Sequence, residues 1–165
     1  MSNLTWTSSL STLARKGGRI VAVALAGAMA CQSPLSPDEM SRLKAAEDRW
    51  ADRGFADYSI ESRSSCFCGP EVLAWARIEV VSGLVTRVTL LETGEVITDA
   101  RTSYWSTVEE LFGSIHASND QDYLSDVAVE FDPALGFPTQ VEWIADEHIQ
   151  DAGRTRSLRN ARPLD

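Results

Sequence analysis

Apolar residues along 37–53 recur at helical spacing. Met40, Leu43 and Trp50 fall near one face, with charged residues between them. Ser36-Pro-Asp-Glu39 opens the segment with a capping residue, a proline at the first helical position and a glutamate three residues on, a capping box. Gly54 is a natural stop, so the pattern predicts a helix from Pro37 to Arg53. The period then shortens to two. Phe55–Ser65, with Tyr58 and Ile60 on one face, reads as a strand. Glu71–Val81, rich in valine and isoleucine and carrying Trp75, reads as a second. Ser82-Gly83 is a two-residue hairpin signal, Leu84–Leu91 returns as a third strand, and Thr93-Gly94 turns again.

Ser106-Thr-Val-Glu109 is read as another capping box. Val108, Leu111, Phe112 and Ile115 follow at helical spacing and predict a helix over 107–117. Val127, Val129 and Phe131 alternate as a fourth strand. The turn 132–138 leads to a last strand over 139–145, with Val141 and Trp143. Consecutive strands joined by short turns give an antiparallel sheet. The expectation is therefore an α+β domain over 37–147, a sheet of about four to five strands with two helices on one face. Residues 148–165 read as a polar, solvated tail holding Arg154, Arg156, Arg159 and Arg162, free to meet anionic lipid or the acidic body of the protein.

The first thirty residues have a different character. Arg15, Lys16 and Arg19 flank an uninterrupted run of apolar and small residues from Ile20 to Ala30, and Cys31 follows at once. The run is too short to span a bilayer but suits the apolar core of a secretory signal. Small residues before a cysteine resemble a bacterial lipobox, although leucine is usual where Ala28 stands. Residues 1–30 are accordingly expected to be a signal peptide, Cys31 the lipidated new N-terminus, and 31–36 a tether. The competing reading is a buried N-terminal helix with a chance cysteine. Gln32 after the cysteine hints at outer-membrane sorting. A mature chain starting there would lie outside the cytoplasm, where disulfides persist.

Charge narrows the partners. The chain of 165 residues carries a net charge of −9, so electrostatic binding of nucleic acid is not expected. Cleavage before Cys31 removes three cations and no acids, taking 15 basic residues to 12 against 24 acidic ones, net −12. Hydrophobic residues make up 44%, which argues against disorder.

Four motifs in order carry a resemblance. They are Cys66-Phe-Cys68 near a strand end, Val-Ser-Gly-Leu-Val at 81–85, Thr-Val-Glu-Glu-Leu-Phe at 107–112, and Phe-Asp-Pro with Leu-Gly-Phe-Pro-Thr across 131–139. Together they resemble a family of small secreted bacterial proteins, many of them lipoproteins, whose domain has no assigned function. The likeness covers Trp50 to Glu147; Phe131 and Phe137 stand where that family usually has tyrosines. It implies an extracytoplasmic location and a fold, and supplies no catalytic residue.

Only three cysteines are present, and two of them, Cys66 and Cys68, are separated by one residue. On a flat strand their Cα atoms would be about 6.6 Å apart on the same face. A disulfide needs Cβ atoms roughly 3.5–4.5 Å apart, so it requires a bend, which Gly69-Pro70 can supply. Three readings compete, with two free thiols or pairing with another chain as the remainder. One is a local disulfide. Another is a thiol pair for Cu(I) or zinc, completed by Met40, His116 or His148. The last is thiol–disulfide redox chemistry, without the helix N-terminus that activates a Cys-X-X-Cys thiol.

Other candidates are thinner. His116 suits a helix C-terminus, Asp146-Glu-His148 an exposed strand end, and Asp132-Pro a turn opener. Ser64 and Ser65 have no neighbouring base in the sequence. No Gly-x-Ser-x-Gly, His-Glu-x-x-His, phosphate-loop or dinucleotide motif occurs. Trp50, Trp75 and Trp143 read as core. Trp105 follows Tyr104 in a loop, where an exposed aromatic pair would suit partner recognition. The reading that results is a non-enzymatic envelope lipoprotein without cofactor. It is held at a membrane through Cys31, and its small domain binds a protein or small-molecule partner. The alternative is thiol redox or soft-metal handling by Cys66 and Cys68; an enzyme inhibitor is a third possibility.

Overall fold

The computed structural model describes residues 33–149 and 152–164. Helix α1 (Pro37–Ala51) starts with the expected reciprocal capping box between Ser36 and Glu39. After it come β1 (Tyr58–Ser65), a one-turn helix α2 (Pro70–Leu73), β2 (Ala76–Val81), β3 (Leu84–Leu90) and the two-residue β4 (Val96–Ile97). A 3₁₀ segment (Ala100–Tyr104) leads into α3 (Val108–His116), whose capping box joins Thr107 and Glu110. Strands β5 (Leu124–Phe131), β6 (Pro138–Ala145) and β7 (Arg154–Pro163) complete the domain.

All strand pairs are antiparallel, and the described strands form one sheet in the order β4-β3-β2-β1-β7-β6-β5. The mixed α+β class with an antiparallel sheet stands. The sheet is larger than expected, with seven strands, and α2 is a third helix. The main correction concerns the tail: β7 lies inside the sheet between β1 and β6. Its sequence, Arg-Thr-Arg-Ser-Leu-Arg-Asn-Ala-Arg-Pro, has no apolar alternation. Its backbone nonetheless pairs on both sides, which satisfies the N–H and C=O groups that a solvated tail would give to water. The second expected strand is also shorter. Pro70 at the first helical position starts α2 instead, and the strand begins at Ala76.

Inward-facing Tyr58, Ile60, Ile78, Val80, Val88, Val127, Val141 and Leu158 share one core with Leu43, Ala46 and Trp50 of α1 and with Val108, Leu111, Phe112 and Ile115 of α3. The two long helices thus cover a single face of the sheet. Ser82 and Gly83 both take positive φ, the hairpin turn that matches strand twist. Gly136, at φ +85°, turns β5 into β6 directly against α1. A Cβ there would lie 2.3 Å from the Ala46 carbonyl oxygen. The expected tether is partly docked. Leu35 is buried, and the Pro34 carbonyl accepts from the Val127 N–H.

One carboxylate ties α1, β1 and α3 together. Glu109 accepts from Trp50 Nε1 at 2.8 Å, from Arg53 at 2.9 Å and from the Tyr58 hydroxyl at 2.7 Å. The Tyr58 hydroxyl in turn accepts from the Val108 N–H, one of the orphan donors at the start of α3. Burial raises the Glu109 pKa, but the Tyr58 and Trp50 hydrogen bonds and the Arg53 charge outweigh it and hold the carboxyl below its ordinary value.

Candidate functional site

Strand β1 ends at Ser65, and the chain then bends into α2, whose first residue is Pro70. The bend brings the Cys66 and Cys68 Cα atoms to 5.3 Å, closer than a flat strand allows, and the two are joined in a disulfide. Phe67 between them is thrown outward, 93% exposed.

The disulfide forms one wall of a cavity of about 440 Å³. Ser64, Glu71, Val72, Tyr104 and Arg156 complete the lining. A second hollow of about 260 Å³ shares Ser64, Cys66 and Arg156. It extends to Leu111 of α3 and to Trp143 and Arg154 of the sheet. The two hollows therefore meet around Arg156.

Sheet register explains how an arginine comes to be there. Arg156 on β7 lies opposite Ser64 on β1 and Val141 on β6, and Leu158 lies opposite Ser62. Ser64 and Val141 belong to the buried, helix-covered side, so Arg156 shares that side. Neither lateral neighbour can carry a charge. Among the described residues Arg156 has no carboxylate within ion-pair distance and no side-chain hydrogen bond. Burial pushes its guanidinium pKa down, and the charge of Arg154 adds to the effect. Arg154 itself stacks on Trp143, 4.5 Å from the ring centroid.

The opposite face of the sheet treats its arginines differently. Glu61 on β1 lies in register between Arg77 on β2 and Arg159 on β7. It accepts from Arg77 at 3.2 Å, from Arg159 Nε at 3.0 Å and from Asn160 Nδ2 at 2.9 Å. Burial raises the Glu61 pKa; these donors outweigh it and hold the carboxyl low. Trp75 lies between two cations, with Arg159 at 3.9 Å and Arg63 at 4.9 Å from its ring. Arg162 reaches Ser59 Oγ at 3.2 Å. The four tail arginines therefore all belong to β7, where each has a defined environment.

The remaining candidates separate. Tyr104 is 54% exposed and lines the larger cavity. Trp105 is only 3% exposed, so the expected exposed aromatic pair is corrected to a single surface tyrosine beside a buried tryptophan. Trp50 and Trp143 are core, as expected; Trp143 Nε1 donates to Ser118 Oγ at 2.9 Å. His116 Nε2 meets Glu47 Oε1 at 2.7 Å, and His148 is exposed near Glu147. Asp132 accepts from the Ala134 and Leu135 N–H groups, the turn-opening role. Among the described residues no three His, Cys, Asp or Glu side chains gather where a metal could sit, and no helix is long and apolar enough to cross a membrane. Cys31 lies outside the described residues.

Sequence reasoning located the cysteines and Tyr104 but missed Arg156. The signal was the alternation Arg154-x-Arg156-x-Leu158, which at a period of two puts all three on one strand face.

No curated protein and no solved structure matches the chain. Residues 42–163 match the model of a family of unknown function (DUF6174). That span runs from within α1 to the last residue of β7, so it includes the strand that carries Arg156. The chain belongs to this family of unknown function.

Proposed function

We propose that the chain is a non-enzymatic lipoprotein of a bacterial cell envelope, held at a membrane through acylated Cys31, whose α+β domain binds a partner or small ligand. The observation that carries the binding role is the cavity around Arg156. It is a concave site with a charged side chain that has no ion-pair partner among the described residues. The order of basic flank, apolar run and small residues before Cys31 supports the anchor. Ser33 follows Cys31 by only two residues, a reach of about 7 Å, and Pro34 and Leu35 are already docked on the domain. An acyl group on Cys31 would hold the sheet domain close against the bilayer surface.

The test is to express the full chain in a bacterial host fed an alkyne palmitate analogue. Incorporation should be lost in Cys31→Ser, and the protein should move from the membrane fraction to the soluble one. Equal labelling of both proteins, or none of either, overturns the anchor.

A second reading has its own observation. The Cys66–Cys68 disulfide borders the open cavity, and Cys68 is exposed, so an external thiolate can reach it. Under this reading the domain exchanges disulfides with a partner thiol. A mixed disulfide trapped by Cys66→Ser but not by the double serine variant supports it. Absence of any trapped species sinks it.

A further inference from the structure

We propose that the Arg156 cavity binds the carboxylate of a small organic monoacid, with the guanidinium as its anchor. This deepens the binding reading above and rests on it. An arginine stays charged at every physiological pH, so it cannot escape burial by losing a proton. Even partial removal of such a charge from water without an ion-pair partner costs stability. Arg159, half exposed, has Glu61 placed in register as a partner, whereas the less exposed Arg156 has only Ser64 and Val141 beside it in register. A carboxylate entering the cavity would supply the missing charge through two parallel N–H···O bonds, the fork geometry that guanidinium favours. The Ser64 and Ser106 hydroxyls line the two hollows and are free to donate to a carboxylate oxygen.

The walls select the rest of the ligand. Val72, Leu111 and the disulfide give apolar surface, and Tyr104 gives an aromatic side at the larger hollow. Together they suit a carbon skeleton of a few to a dozen heavy atoms, in a volume typical of small-molecule sites. Glu71 also lines the larger hollow, and the chain carries a net −9. Both repel a second negative charge, which favours a monocarboxylate over a phosphate dianion.

The acid group could be that of a free metabolite-sized acid or the C-terminus of a short peptide, and the experiment separates these. The full chain in detergent is titrated calorimetrically with benzoate, with N-acetyl-dialanine, with benzamide as the neutral isostere and with phenyl phosphate. Saturable binding of benzoate or of the peptide acid supports the assignment and identifies the source; benzamide should bind at least about tenfold more weakly, since a hydrogen bond to a charged partner is lost. Arg156→Gln should weaken the acid by about tenfold or more while melting cooperatively. Should that variant not fold, Arg156→Lys keeps the charge, loses the fork and should show a smaller loss. Binding of benzamide equal to that of benzoate, tighter binding of phenyl phosphate, an unchanged Arg156→Gln, or no binding of any probe overturns the proposal. Cys31 anchoring is decided by the palmitate experiment alone, so the two failures are distinguishable.

Discussion

Arg156 and Arg159 stand three residues apart on one strand, on opposite faces of the sheet, and their surroundings are built in opposite ways. Arg159 lies on Trp75 and shares Glu61 with Arg77 and Asn160. Arg156 faces a hollow, between a serine and a valine in register. The Glu109 cluster repeats the first pattern on the helix-covered side, one half-exposed carboxylate with three side-chain donors. Glu61, buried, and Glu109, about half exposed, are each supplied with three side-chain donors, whereas the partly buried Arg156 has no ion-pair partner among the described residues, which separates charges that hold the fold from a charge available to a ligand.

The largest effect should come from breaking a satisfied cluster. Trp50→Ala removes a ring that meets Phe55, Tyr58 and Phe137 edge-on and the N–H that serves Glu109. The expected loss is about 3–5 kcal/mol, a large part of a stability of about 5–15 kcal/mol. Urea unfolding measures it. A loss below about 1 kcal/mol would mean that the cluster is not what joins α1 to the sheet.

Next in size is the pair of carboxylates. Glu61→Ala strands Arg77 and Arg159, which are 39% and 50% exposed at their side chains and so can recover some hydration. The cost should be about 2 kcal/mol, below that of breaking a fully buried pair. The pH dependence has a definite sign. Glu61 and Glu109 both have folded pKa values held below the ordinary glutamate value. Their contribution is therefore complete above about pH 4.3 and is lost as pH falls through the lower folded values. Unfolding free energy should be flat near neutrality and fall in acid. The Glu61→Gln, Glu109→Gln double variant should fall less steeply. An acid slope unchanged in the double variant would assign the loss to other groups.

The disulfide ranks below these. Its two cysteines are two positions apart, so it removes little freedom from the unfolded chain. The Cys66→Ser, Cys68→Ser variant should lose no more than about 1.5 kcal/mol. Because the bridge walls the cavity, ligand binding should be more sensitive to it than stability is, and parallel melting and titration of the variant compare the two.

How much of this was legible in the sequence depends on locality. Both long helices announce themselves through capping residues three positions apart, although the box of α3 is Thr107 and Glu110, one residue beyond the Ser106 and Glu109 of the sequence reading, and Ser82-Gly83 announces the turn that only small or polar residues take readily. The sequence makes a Cys66–Cys68 bridge conditional on a bend, because a strand's own geometry forbids it, and leaves open whether the bridge forms. The sequence pattern predicts a tail where β7 lies because the strand's inward face carries two arginines and one leucine, and apolar periodicity is silent where a strand turns charge inward. Glu71–Leu73 was read as strand on its valine and leucine, and Pro70 overrode that preference. Trp105 was placed in a loop correctly and on the surface wrongly, because burial of a loop side chain is decided by distant elements. The Arg156 site depends on a register between β1 and β7, and no local pattern encodes which residue of a distant strand will lie opposite Ser64.

The smallest predicted effect is the sharpest, because it sets one substitution against itself on one strand. Arg159→Met leaves Glu61 with fewer donors and uncovers a face of Trp75, and should cost about 1 kcal/mol. Arg156→Met removes a partly desolvated charge that has no ion-pair partner among the described residues and puts an apolar chain of similar length among Val141, Leu111 and the disulfide. It should therefore stabilise the protein by about 1 kcal/mol, since a desolvation cost is replaced by apolar burial. Midpoints of urea unfolding at pH 7 and moderate salt decide the matter. Opposite shifts mean that Arg156 is retained against stability, as expected of a residue kept for binding. Equal losses would mean that Arg156 is as integrated as Arg159, and the carboxylate proposal would lose its physical basis.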